Sequence, residues 1–119
     1  MSRILMTVCA LALLTAGAIY LEEYPTLWPA KAFSSAEWTK TPHGERYVFV
    51  KDIIDRDLLR SKSRSDVEGL LGKPSAEIEK NRISYLVKIG GRGFKQVFSL
   101  EIQFNPATGL VERAFIAGD

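Results

Sequence analysis

The chain has 119 residues, 46% hydrophobic and 25% charged, with a formal net charge of +2. That balance excludes a disordered chain and leaves room for one domain of ordinary size. Arg3 is the one charged residue of positions 1 to 21, so the remainder sets 15 basic against 14 acidic residues, and nothing in its charge points to nucleic acid. Cys9 is the one cysteine and His43 the one histidine, which excludes an intramolecular disulfide and a Cys- or His-cluster metal site. No cofactor is expected.

Residues 4 to 21, "ILMTVCALALLTAGAIYL", carry no charge; Arg3 precedes them and Glu22 and Glu23 follow. A cation before an apolar run of this length is the pattern of a signal peptide or a membrane anchor. Arg3 stays on the cytoplasmic side, which places the rest of the chain outside. Small residues at Ala16 and Ala18 permit cleavage after Ala18. The apolar run continues through Ile19, Tyr20 and Leu21, which favours a retained anchor, with Tyr20, Tyr24 and Trp28 as aromatic residues at the interface. Bulky Val8 beside Cys9 argues against lipoprotein processing.

Positions 22 to 40 read as a tether, extended by Pro25 and Pro29. Within it "SSAEW" offers a short helical turn with Ser34 or Ser35 as cap and Glu37 inside. Trp38 is expected to pack on the domain rather than to stack on a ligand. The domain proper is placed at 41 to 119. Thr41-Pro42 signals a helix start. Tyr47, Val50, Ile54 and Leu58 then form a helical stripe, with Ile53 beside it. Asp52, Asp55 and Asp57 lack the glycine and terminal glutamate of a calcium loop, and read as a solvated face paired with Lys51, Arg56 and Arg60.

"KSRSDVEGLLGKP" predicts a second, two-turn helix. Ser63 and Asp66 form its capping box, Val67, Leu70 and Leu71 its apolar face, and Gly72 with Pro74 its stop. Downstream, "RISYLVKI" places Ile83, Tyr85, Val87 and Ile89 on one face. "QVFSLEIQF" places Phe98, Leu100, Ile102 and Phe104 on one face and Val97, Ser99, Glu101 and Gln103 on the other. "LVERAFIA" follows the turn "NPATG". Three segments of period two predict an antiparallel meander with one apolar face. The fold expected is therefore α+β, a two-layer domain with two amphipathic helices on a three-stranded sheet, preceded by an N-terminal hydrophobic helix. "GGRG", residues 90 to 93, reads as a hairpin loop rather than a phosphate cradle, because a strand follows it. Arg92, Lys95 and Arg82 suggest a basic rim.

The capped helix, "[ST]-x-x-[DE]-V-x-x-L-L-G-x-P", is matched at Ser63, Asp66, Val67, Leu70, Leu71, Gly72 and Pro74. The ending "LEIQFNPATGLVERAFI" looks like a closing hairpin. Together these resemble the small SmpA/OmlA (BamE-like) domain family of the bacterial cell envelope over roughly residues 45 to 117. Arg46 or Lys51, with Asp57, Leu58 and Leu59, stands near the "R-x-x-x-x-x-D-L-L" of that family's uncharacterised members. The resemblance implies a capped helix before a three-stranded sheet and an envelope location. The missing lipobox argues against outer-membrane lipid anchoring. Every matched residue is a cap, a core contact or a stop.

The function expected is non-catalytic: an interaction or scaffold module facing the periplasm or exterior, with an envelope protein as partner and the membrane met through residues 4 to 21. Phe94, Phe98, Phe115 and Arg92 are the candidate surface, with burial in the core as the competing reading for each Phe. The alternative is a small periplasmic inhibitor or ligand-sensing module. An enzyme would have to draw on Glu101, Asp66, His43 and Ser99, whose spacing forms no catalytic pair.

Overall fold

The computed structural model describes residues 25–91 and 94–118. The apolar segment 4–21, with its anchor and signal readings, lies outside them, as does Arg92. Among the described residues no helix is long and apolar enough to cross a membrane. Three helices, α1 (Ser35–Lys40), α2 (Tyr47–Asp55) and α3 (Arg64–Leu71), precede the strands β1 (Ala76–Glu79), β2 (Arg82–Gly91), β3 (Phe94–Phe104) and β4 (Val111–Gly118). All neighbouring strands are antiparallel, in the order β1-β2-β3-β4. The class is α+β with a meander, but the sheet has four strands rather than three. The extra strand, "AEIE", alternates over only four residues, too short a run to mark a strand by period, and is exposed at every position.

One sheet face holds the core. Ile83, Tyr85 and Val87 from β2 and Leu100, Ile102 and Phe104 from β3 pack with Phe49, Val50 and Ile53 of α2 and Val67 and Leu71 of α3. Trp28 and Trp38 belong to the same cluster. The stretch read as an extended tether therefore lies on the domain over residues 25 to 40. Trp28 sits edge-on to Phe98 at 5.3 Å and beside Tyr47 at 5.4 Å, so it is a core residue and not part of an interfacial belt. The prolines do keep residues 29 to 34 out of a helix, but Lys31 N–H donates to Val48 O at 2.9 Å and Phe33 N–H to Asp52 Oδ2 at 2.8 Å. Two aromatic anchors and these bonds outweigh the absence of local structure.

Helix α1 begins where Ser34 Oγ accepts from Glu37 N–H. It ends at Thr41, whose N–H and hydroxyl both donate back to Glu37 O. Thr41 thus closes α1 instead of opening α2. Pro42 is extended, a 3-10 turn follows at His43–Glu45, and α2 starts only at Tyr47.

Helix α2 also stops earlier than its stripe suggests. Asp57 adopts φ 52°, Leu58 N–H donates to Ile53 O at 3.0 Å, and Asp57 N–H donates to Ile54 O at 3.1 Å. That is a Schellman turn with an aspartate where glycine is the usual residue. Leu58 returns to the core through the turn, not through another helical repeat. The left-handed conformation costs an L-residue about 1–2 kcal/mol, against about 0.5–1 kcal/mol of extra chain entropy for glycine. Asp57 also meets Arg60 at 3.4 Å, an exposed pair worth little. Asp57→Gly is therefore expected to raise the unfolding free energy by about 0.5–1 kcal/mol, read from urea midpoints.

Asp52 is not simply a solvated acid. Arg56 Nε and Nη2 donate to its two oxygens at 2.7 and 2.6 Å, and Phe33 N–H adds a third bond. These donors, Arg56 first, hold its carboxyl below the usual carboxylate range. Its contribution is therefore fully present above the unfolded value near pH 4 and is lost as pH falls through the lower folded value. The gap in Tm between the native chain and Asp52→Asn is expected to be open at about pH 6 and to close below the usual carboxylate range, in melts at fixed salt.

The stop of α3 is held by the rest of the fold. Ser63 Oγ accepts from Asp66 N–H at 3.1 Å, and Asp66 Oδ2 accepts from Ser63 N–H at 3.5 Å. At the other end Ser35 Oγ donates to Leu70 O at 2.7 Å, Trp38 Nε1 to Leu71 O at 2.9 Å and Tyr85 Oη to Gly72 O at 2.7 Å. Three successive carbonyls, the kind that a helix end leaves without partners, are each taken by a side chain from another element. Burial, with the charge of Glu68 second, raises the Tyr85 phenol above its ordinary pKa, so the group stays a donor. Gly72 has φ 81° and ψ −165°, a region open essentially to glycine. An ion pair between Arg64 and Glu77 joins α3 to β1.

Candidate functional site

The helices cover one face of the sheet, and among the described residues the opposite face carries none. Alternation along β3 decides what that outer face shows. Ser99, Glu101 and Gln103 point away from the core, as the strand pattern requires. Register places Ser84 and Phe115 on either side of Glu101, Arg82 and Arg113 on either side of Gln103, and Leu86 and Ala117 on either side of Ser99.

At one end of this face Phe115 is half-buried between two guanidinium groups. Arg113 lies 4.4 Å and Arg82 5.2 Å from its ring centre. Arg82 is held there by Nε donating to Gln103 Oε1 at 2.8 Å. Gln103 Nε2 in turn donates to the carbonyls of Asn81 and Phe104. The result is an aromatic ring between two cations, of which Arg82 is held in place by Gln103.

Beside it lies a shallow groove of about 200 Å³. Ser84, Ser99 and Glu101 form its floor, and Ile78, Val97 and Ala117 its walls. Glu101 is only 8% exposed because its cross-strand neighbours shade it. Its nearest cation is Arg82 Nη1 at 3.9 Å, an ion pair beyond hydrogen-bond length.

The structure separates the expected surface residues. Phe98 is core: it is 5% exposed and packed on Trp28. It is also the reason for glycine at 118, since a Cβ there would stand 2.8 Å from Phe98 Cε1. Phe115 is on the outer face. The Phe94 side chain and Arg92 lie outside what is described. Of the expected rim of Arg92, Lys95 and Arg82, the described part is Arg82, which starts β2 opposite Gln103, at the other end of the strand from Gly91 and its partner Phe94.

Ile89 does not continue the apolar face. A bulge between Leu86 and Lys88 inserts one residue and shifts the phase. Lys88 then pairs with Phe98, is 7% exposed, and holds Nζ 4.4 Å from the Tyr47 ring, while Ile89 is 58% exposed. No sequence feature marks the bulge.

Of the possible catalytic groups, Glu101 and Ser99 share the groove. Asp66 is engaged in the cap of α3, and exposed His43 lies in the turn before α2. Among the described residues no group of three potential metal ligands occurs. The sequence pattern had placed Ser99, Glu101 and Gln103 together; what it lacked was Ser84, Arg82 and Arg113, which strand register brings alongside. Comparison of the chain with models of protein families, with curated proteins and with solved structures finds no match.

Proposed function

We propose that the chain is a non-catalytic protein of the bacterial cell envelope, of the SmpA/OmlA (BamE-like) kind, which binds a partner protein through the outer face of its sheet. Residues 4 to 21 anchor it in the inner membrane and the domain faces away from the cytoplasm. The observation that carries this reading is the patch of Phe115, Arg82 and Arg113 beside a groove, on a sheet face that no helix covers among the described residues. Aromatic and arginine side chains in fixed positions are the groups that most often carry binding energy at protein interfaces. The motif from Ser63 to Pro74 supports the family reading: its residues start, dock and stop a helix ahead of an antiparallel sheet.

The test is affinity capture from envelope membranes with the full-length chain and its Phe115→Ala and Arg113→Glu variants. A defined partner retained by the native chain and lost in both variants, with unchanged melting curves, is the expected result. Equal recovery by all three chains, or no specific partner, contradicts it.

A further inference from the structure

We infer that the domain rests on the lipid surface by the side around Pro25, where Leu27 and a groove between α2 and β4 meet zwitterionic headgroups. This rests on the proposal that residues 4 to 21 anchor the chain, and adds which side of the domain the anchor turns to the bilayer. The apolar run ends at Leu21, and the described chain begins four positions later at Pro25. Four residues span at most about 14 Å, even when fully extended. The headgroup layer they cross is itself about 5–8 Å deep. Pro25 therefore stands within about 10 Å of the outer limit of the headgroups. Its place on the domain is fixed. Trp28 N–H donates to Pro25 O at 3.2 Å, and the Trp28 ring is buried against Phe98 and Tyr47. The anchor thus leaves the fold at one point, and the surface around that point is the one brought to lipid.

That surface is apolar at its centre. Pro25 lines a shallow groove of about 230 Å³ with Lys51, Ile54 and Asp55 of α2 and Ile116 of β4. Ile54 and Ile116 pack on the edge of the core and stay partly exposed. Leu27, in the same 3-10 turn as Pro25, is 47% exposed. A single exposed leucine is ordinary on a protein surface. This one stands where the anchor delivers the fold to lipid, beside two isoleucines and a proline. The charges name the class of lipid. Lys51 and Asp55 offset each other in the groove, and Glu22 and Glu23 on the connecting stretch add two negative charges. No excess of cations is present to select anionic headgroups, so contact is made by apolar side chains. Two other elements lie away from this side. Strand β1 is the opposite edge of the sheet from β4, and the Arg64–Glu77 ion pair joins α3 to it.

The test uses the full-length chain with Cys9→Ser and one further substitution, Leu27→Cys, Asp55→Cys, Ser65→Cys or Ile78→Cys, each labelled there with the same fluorophore. All four replaced side chains are exposed. Each chain is reconstituted into phosphatidylcholine vesicles in which a fraction of the lipid bears a nitroxide on its headgroup, and the vesicles are recovered by flotation. Quenching is expected to be several-fold stronger at positions 27 and 55 than at 65 and 78, and unchanged by salt or by added phosphatidylglycerol. Three results in chains that float with the vesicles overturn the inference and leave the anchor standing: equal quenching at all four positions, stronger quenching at 65 and 78, or none at 27 and 55. Quenching at 27 and 55 that requires phosphatidylglycerol overturns it as well, because charge would then make the contact. Chains that fail to float remove the anchor and the inference together.

Discussion

Trp38→Ala is expected to lower the unfolding free energy by about 3–5 kcal/mol. The indole is fully buried between Phe33, Phe49 and Tyr85, with ring centres 6.0 to 6.4 Å away. Removing it opens a large cavity and leaves the Leu71 carbonyl without its donor. Arg46 is disturbed as well: its guanidinium lies 4.8 Å from the indole, and its Nε donates to Trp38 O and Thr41 O, each at 3.0 Å. In a domain of this size the loss corresponds to roughly 12 °C or more in Tm. Trp38→Phe keeps most of the ring and loses the bond to Leu71, so a cost of about 1–2 kcal/mol is expected. Denaturant titrations followed by circular dichroism separate the two. A Trp38→Ala effect within about 0.5 kcal/mol would mean that the segment is a free tether after all.

The second large effect is a contrast. Phe98→Ala is expected to cost about 3–5 kcal/mol, because the ring is buried against Trp28 beneath the sheet. Phe115→Ala removes a half-buried ring lying between two arginines, and is expected to cost under about 1 kcal/mol. The two residues are identical in kind and sit on neighbouring strands. Their difference therefore measures directly which face of the sheet is core. Similar losses for both would place both rings in the core and remove the basis for a contact surface.

The parts of this fold legible in the sequence are those where one local rule acts alone. The alternation of β3 separates Leu100 and Ile102 from Ser99 and Glu101 because both flanking strands pair with it in regular register over that stretch. The cap of α3 is legible because Ser63 and Asp66 act within one turn. Other parts depend on distant partners. Trp28 and Trp38 stand in a proline-bearing stretch whose local pattern predicts extension, and only the aromatic core explains their burial. Two tryptophans and Phe33 within the eleven positions from 28 to 38 were the available signal. Asp57 takes a glycine conformation because Leu58 is pulled back to the core, and Lys88 enters the helix side because of a bulge with no residue signature.

The candidate site divides the same way. Glu101 and Ser99 share a face by strand period, which sequence supplies. Ser84, Arg82, Arg113 and Phe115 join them through register across three strands, which one strand's sequence cannot fix. The proposed function rests on the two arginines around the Phe115 ring, on a sheet face that no helix covers among the described residues.

Photo-crosslinking in intact cells tests that claim most directly. A photoreactive amino acid is placed at Ala117 on the outer face, at Phe115 beside it, and at exposed Ser65 on α3. The expected result is a discrete adduct of the same partner from positions 115 and 117 and none from position 65. Adducts from position 65 alone, or none from the sheet positions while the chains fold normally, would contradict the assignment of the outer sheet face as the working surface of the protein.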